Sequence, residues 1–423
     1  MNQRVLVSLL VSAALLLMLQ VPAAARPVPS PQTLVIGVDH VDPANQQPDQ
    51  HRLFEYTDFF SREVTVHTGD ILDFRAAPNS LHNIALAADE EAARAAYPVL
   101  LADTDDSHLA PGTGKPKIQL GPGSFSVTGG TTHGGGVIAN NLYGPPVCGV
   151  EALGESPCIF SGGDDVEIAG PNPGVNLQTG QPAAVDWKIK INARPGKYDF
   201  FCTIHPGMRG ELTVVGEDRP TTKQSEIDAR SLGQFFSDRA QALNAERHAD
   251  RVEFSGGKPG TRTYQVKVGV SAADNHVAID EMFPRQPLDL KQGDKVEYVW
   301  PDPHNVHTLT FPTDSPSLPE PFGFDCGTSF ISVPPVGPPP PACIEPGQSQ
   351  TEFIGDPGNA SPGTVLQSPT QIVDAGLLTG RDYHVKPSTQ SWSLSTSAFT
   401  NTGAYNFQCT VHDWMQGTLN VRQ

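Results

Sequence analysis

The seven-residue run Cys202-Thr203-Ile204-His205-Pro206-Gly207-Met208 recurs as Cys409-Thr410-Val411-His412-Asp413-Trp414-Met415, with thiol, imidazole and thioether at identical spacing. The repeat extends well beyond these loops. Gly69-Asp70 precedes Ile71-Leu72-Asp73-Phe74 and then Leu81-His82-Asn83-Ile84, while Gly293-Asp294 precedes Lys295-Val296-Glu297-Tyr298 and then Pro303-His304-Asn305-Val306. Each Cys is fed by an alternating segment, 196–201 or 403–408, and each loop is followed by a short strand-like run, 210–215 or 417–421. Alternation at period two marks half-buried strands. A chain that writes the same order twice is most simply a duplication, and its 40 Gly and 40 Pro, with few long helical patterns, favour β structure rich in turns. The one helical pattern lies between the halves. Ile227, Leu232, Phe235, Phe236, Ala240 and Leu243 recur near helical spacing within 221–249, which predicts a connecting helix packed on a domain.

The repeated donors point to a metal. Two imidazoles and a thiolate in a trigonal plane, with a weak axial thioether, form the ligand set of a copper ion that exchanges one electron. Soft sulfur suits the reduced ion and imidazole also serves the oxidised one. The loop supplies three of these donors in each half. The second imidazole must come from an earlier segment, where His82 and His304 occupy equivalent places. His307, three residues beyond His304, falls on the opposite face if the segment is a strand, so a solvated or hydrogen-bonded side chain is expected there. His133-Gly134-Gly135-Gly136 has no nucleophile motif to accompany it, and Gly112-Thr113-Gly114-Lys115 lacks phosphate-loop spacing; neither carries chemistry.

On these residues both halves resemble the cupredoxins, the plastocyanin-like blue copper proteins, and the C-x-x-H-x-x-M loop looks most like that of amicyanin. The resemblance covers the core strands and copper loops; the linker and the long insertions fall outside it. It implies an all-β chain of two tandem Greek-key β-sandwich domains. It also implies two copper sites: His82, Cys202, His205 and Met208, then His304, Cys409, His412 and Met415. Asn83 and Asn305 match a family position that ties the two ligand loops together. The implied role is type 1 electron transfer, with electrons leaving through an exposed edge of His205 or His412 beside Pro206 and Trp414. Two-domain nitrite reductases and laccase-like oxidases share the architecture. They need further copper, and Phe201 and Gln408 stand where that wider family has a His before the Cys. A catalytic copper recruiting His67, His133 or His384 is the enzymatic alternative, and copper storage or delivery a third.

Residues 1–25 read as a signal peptide, with Arg4, an apolar run over 5–19 and small residues at 23–25. The expected organisation continues with a first cupredoxin domain over 26–218, a helical linker over 219–260 and a second domain over 261–423. The chain is expected to be exported to the periplasm or beyond, without stable membrane insertion after signal removal. With 46 acidic against 28 basic residues, a formal charge of −18 argues against nucleic acid, and redox proteins are the expected partners. In an oxidising compartment six cysteines first suggest three disulfides. The repeat suggests instead that Cys148–Cys158 and Cys326–Cys343 staple the Gly/Pro-rich insertions at about 87–183 and 313–386, leaving Cys202 and Cys409 free. Oligomeric state is not legible.

Overall fold

The computed structural model describes residues 30–40, 42, 54–77, 82, 84–88, 156–163, 186–202, 205, 207–302, 305–313, 366, 368–379, 402–410, 412 and 414–423, together with short strands at 117–119, 137–139, 166–169, 322–325, 330–332, 352–355 and 391–395. The signal segment 1–25, Asn83, Cys148, His304, Cys326 and Cys343 lie outside them. The chain is all-β with one described helix.

In each half two sheets close on one core. In the first half, one sheet runs in the order Phe59–Phe60, Thr33–Val38, Ile71–Ala76, Asp186–Ile191, Cys158–Phe160. Its partner runs Glu63–His67, Arg209–Val215, Gly196–Phe201, Ile84–Ala87, Val166–Ala169, Val137–Ala139. Strands adjacent in sequence switch sheets repeatedly, as a Greek-key sandwich requires. Leu34, Ile36, Leu72, Phe74, Trp187 and Ile189 meet Val64, Val66, Leu86, Phe200, Leu212 and Val214 in a single cluster. The second half repeats the plan. Its outer sheet includes Val277–Phe283, Thr263–Ala272, Lys295–Val299 and Ser391–Ser395, and its inner sheet Leu288–Lys291, Gln416–Arg422, Gly403–Gln408, Val306–Phe311 and Val373–Thr379.

The shared Gly-Asp step is a turn lock. Gly69 and Gly293 both have φ of +100°, a conformation that side chains resist. The following carboxylates are buried and accept backbone N–H groups: Asp70 from Gln32 and His67, Asp294 from Gly260, Arg262 and Lys291. Each Asp thereby fixes the entry of the strand that leads toward the first candidate ligand.

The halves are not joined only by the linker. Phe54–Glu55, from the first half, is an edge strand of the second half's outer sheet, with Glu55 opposite Ala278 and Phe54 opposite Ile279. Strand Lys117–Gln119 likewise pairs with Glu352–Gly355, so the two insertions share a small sheet. A third apolar cluster joins Phe54, Tyr56 and Phe60 to Val270, Val277, Ile279 and Phe283. The helix Gln224–Ala249 closes this cluster with Phe235, Ala242 and Ala249. The Glu226 carboxylate accepts the Lys223 N–H at its start, and Arg247 and His248 sit in its last turn. Its buried face is Ile227, Phe235, Asp238, Ala242, Glu246 and Ala249. Leu232 and Phe236, expected on that face, are instead exposed. The helix packs on strands of both halves, and polar pairs such as Arg62–Asp238 hold its middle, so the inward stripe runs through Asp238 and not through Leu232.

Glu281 marks the far end of this interface. Burial pushes its carboxyl up to about 7; the Met282 N–H and Arg285 oppose the rise, and the fields of Asp250 and Glu246 add to it. The unfolded carboxyl ionises near 4.5. The folded state therefore holds the extra proton, and stability is full below about pH 4.5 and falls as pH rises through about 7. Glu281→Gln is expected to flatten this segment of the stability curve and to gain up to about 3 kcal/mol at pH 8. Urea denaturation of both forms between pH 4 and 8 measures it; parallel curves would rule the carboxyl out as their source.

Candidate metal centres

Each candidate site forms where a hairpin turn is closed by its own ends. The Cys202 N–H donates to the Met208 carbonyl at 2.9 Å, and the Met208 N–H to the His205 carbonyl at 3.2 Å. Cys409, Met415 and His412 repeat both bonds, at 2.9 and 2.8 Å. The spacing of the motif thus fits a turn that pins the thiol at its base and turns the imidazole back over it. Met208 and Met415 are buried in the apolar clusters of their halves. Cys202 and Cys409 are buried and belong to no disulfide. Cys158 is disulfide-bonded, and the Trp187 Nε1–H donates to its sulfur at 3.2 Å.

In the first half the structure brings His82, Cys202 and His205 together. Cys202 Sγ lies 3.7 Å from His205 Nδ1 and 4.0 Å from His82 Nδ1, and the two nitrogens are 2.9 Å apart. An ion bonded trigonally to nitrogen at about 2.0 Å and to sulfur at about 2.3 Å would space sulfur and nitrogen about 3.7 Å and the two nitrogens about 3.5 Å apart. The sulfur–nitrogen distances are close to this, while the nitrogens, at 2.9 Å, stand as a hydrogen-bonded pair that an ion would spread. The donors fit one ion. Burial opposes charge on His82, but hydrogen bonds to Asp39 and Cys202 and the field of Glu55 outweigh it and raise its pKa to about 10.

In the second half the gathered residues are His307, Cys409 and His412. Cys409 Sγ is again 3.7 Å from His412 Nδ1. It also accepts the Thr308 N–H at 3.2 Å and its hydroxyl at 3.8 Å, bonds that favour a thiolate. The rings of His307 and His412 stand 5.1 Å apart, much as His82 and His205 stand at 4.7 Å. His307 is fully buried, neither of its nitrogens has a hydrogen-bond partner among the described residues, and burial, with the neighbouring His412, holds it well below its ordinary pKa. This corrects the expectation of a solvated or hydrogen-bonded side chain. The alternation argument assumed a strand running from residue 304, whereas the strand begins at Val306.

Strand register makes the same point. The residues preceding the two cysteines, Phe201 and Gln408, pair with Ala85 and Thr310. Three positions before Ala85 is His82; three before Thr310 is His307. The His-Asn match in sequence equates His82 with His304, and the ladder equates it with His307. Asn305 Nδ2 donates to Asp280 Oδ1 at 2.9 Å and Glu55 Oε2 at 3.4 Å. Gly269 makes room for the ring. It has φ of +68° where the pairing of its strand with Val277–Phe283 slips, and a Cβ there would lie 2.4 Å from His307 Nε2.

His205 and His412 are 2% and 8% exposed, so neither presents the open edge expected of it. Trp414 explains part of this. Its ring lies 5.3 Å from that of His412, and its Nε1–H is anchored on the Asp280 carbonyl of the outer sheet.

No family model and no curated protein matches the chain. Among solved structures, dithionite-reduced auracyanin from Roseiflexus castenholzii is 16% identical, covering 44% of this chain and 97% of its own, with a TM-score of 0.19. A copper-containing nitrite reductase from Thermus scotoductus is 13% identical over 93% of this chain and 68% of its own, at 0.18. A blue copper oxidase from Nitrosomonas europaea is 11% identical over 93% and 86%, at 0.18. Similarity of this order assigns neither fold nor function. Among the described residues, no helix is long and apolar enough to cross a membrane.

Proposed function

We propose that this chain is an exported cupredoxin with one type 1 copper site in each half, and that it carries electrons between redox partner proteins. The observation that carries this reading is the matched Cys–His pair, with Sγ and Nδ1 at 3.7 Å in both loops. His82, Cys202 and His205, with Met208 in the same loop as the last two, would hold the first ion. Cys409, His412 and Met415 would hold the second, with His307, in place of His304, as the other imidazole. Two nitrogens and a thiolate let such a site hold either oxidation state of copper with little rearrangement. The residues do the rest: the hairpin bonds fix the loop, Thr308 directs its N–H at the Cys409 sulfur, and burial keeps water away. Both donor sets are enclosed, whereas metal catalysis requires an open position. This favours a carrier over an oxidoreductase.

Copper loading followed by visible and electron paramagnetic resonance spectra tests the proposal. Two coppers per chain, both with thiolate charge-transfer absorption, are expected. Cys202→Ser and Cys409→Ser should each remove one centre and spare the other. A colourless loaded protein would overturn the reading, and a further copper without thiolate absorption would turn it toward a copper oxidoreductase.

A further inference from the structure

One carboxylate stands between the two sites. His82 turns Nδ1 toward Cys202 and His205, and its other nitrogen, Nε2, lies 3.3 Å from Asp39 Oδ2 and 3.5 Å from Glu55 Oε1. The second oxygen of Glu55 accepts the Asn305 amide, which also donates to Asp280. Glu55, Asp280 and one nitrogen of His412 have their donor atoms within 4.8 Å of one another. Glu55, Asp280, Asn305, His82 and His412 are all buried. Glu55 occupies this place because its strand, which belongs by sequence to the first half, is hydrogen-bonded into the sheet of the second.

We propose that Glu55 joins the two sites into one cooperative metal-binding unit, in which an ion held by His82, Cys202 and His205 strengthens binding at Cys409 and His412, and the reverse. The inference rests on both triads taking a metal. An imidazole that binds an ion through Nδ1 is left with Nε2–H to donate, and a carboxylate acceptor fixes its tautomer and tilt. Filling the first site fixes the His82 Nε2–H, which Asp39 accepts at 3.3 Å and which also faces Glu55 Oε1 at 3.5 Å, and through that charge contact orders Glu55, and with it Asn305 and Asp280, on the side of the array that faces His412. The second ion then meets groups already in place. A carboxylate between two cations also offsets their mutual repulsion, which a buried, low-dielectric setting would otherwise make strong. Linkage requires the effect to be the same in both directions.

Cobalt(II) titration of the full-length chain, read by thiolate-to-cobalt absorption, provides the test without any assay of electron transfer. With its neighbour disabled by Cys202→Ser or Cys409→Ser, the surviving site is expected to bind cobalt about tenfold more weakly than in the intact chain, within the usual range of such couplings. In a Glu55→Gln background that difference should fall below twofold. Asp280→Asn, which alters the array from the other half, should weaken it in the same direction and serves if the Glu55 variant does not fold. Equal affinities with and without an intact neighbour, or a coupling unchanged by both array variants, would overturn the proposal while leaving the two metal sites standing. Absence of thiolate absorption at either loop would overturn both readings together.

Discussion

His307→Ala is expected to reduce copper from two ions per chain to one, leaving the Cys202 centre loaded and the Cys409 centre empty. His304→Ala is expected to leave both. His307 is the imidazole grouped with Cys409 and His412, it stands at the ladder position equivalent to His82, and neither ring nitrogen has a hydrogen-bond partner among the described residues. A buried imidazole in that state carries a desolvation cost of about 1–3 kcal/mol, which binding an ion would offset. The same cost gives a second reading of opposite sign. In the metal-free protein, His307→Leu should raise stability by about 1 kcal/mol or more while abolishing the site. Metal counts and visible spectra of the two alanine variants, with urea curves of the metal-free leucine variant, measure both. Loss of the second centre in His304→Ala with retention in His307→Ala would return the ligand assignment to residue 304.

Phe200→Ala should cost about 3–5 kcal/mol, the range for emptying a buried aromatic position. Its ring is fully buried and meets Phe59 edge-on at 5.0 Å and Phe74 at 5.5 Å, at the centre of the first sandwich. Phe407 holds the matching place in the second half, against Tyr298 and Phe311, both at 5.3 Å. Each Phe lies two residues before its Cys, on the strand that delivers the ligand loop. Phe200→Ala should therefore also weaken metal retention at Cys202 more than at Cys409. Chemical denaturation gives the first quantity and competition with a chelator the second. A loss under 1 kcal/mol would mean that the two sheets close without this ring.

Much of this was legible in sequence because it is local or repeated. The alternating runs before Cys202 and Cys409 became strands, and the identical loop spacing became identical hairpin closures. Gly69-Asp70 and Gly293-Asp294 became turns whose carboxylates cap backbone donors. His307 was misjudged because three residues of offset decide a face only once the start of the strand is known. Glu55 was missed for a different reason. A strand of two residues has no periodicity, and its partner lies more than 220 positions away, where sequence pattern says nothing about pairing. Leu232 and Phe236 show the limit of helical spacing: they lie on the solvent side because Asp238 and Glu246, ion-paired with Arg62 and Arg285, occupy the packed one.

The loan of Phe54 and Glu55 to the neighbouring sheet means that the duplicated copies have given up their autonomy. Severing the chain in its linker would strip one fragment of a border strand, exposing the unpaired backbone edge of Val277–Phe283, a hazard for self-association. The other fragment would keep a short apolar segment with nothing to cover it. Neither half can therefore be exchanged for a stand-alone domain without rebuilding the pairing of Phe54–Glu55 with Val277–Phe283.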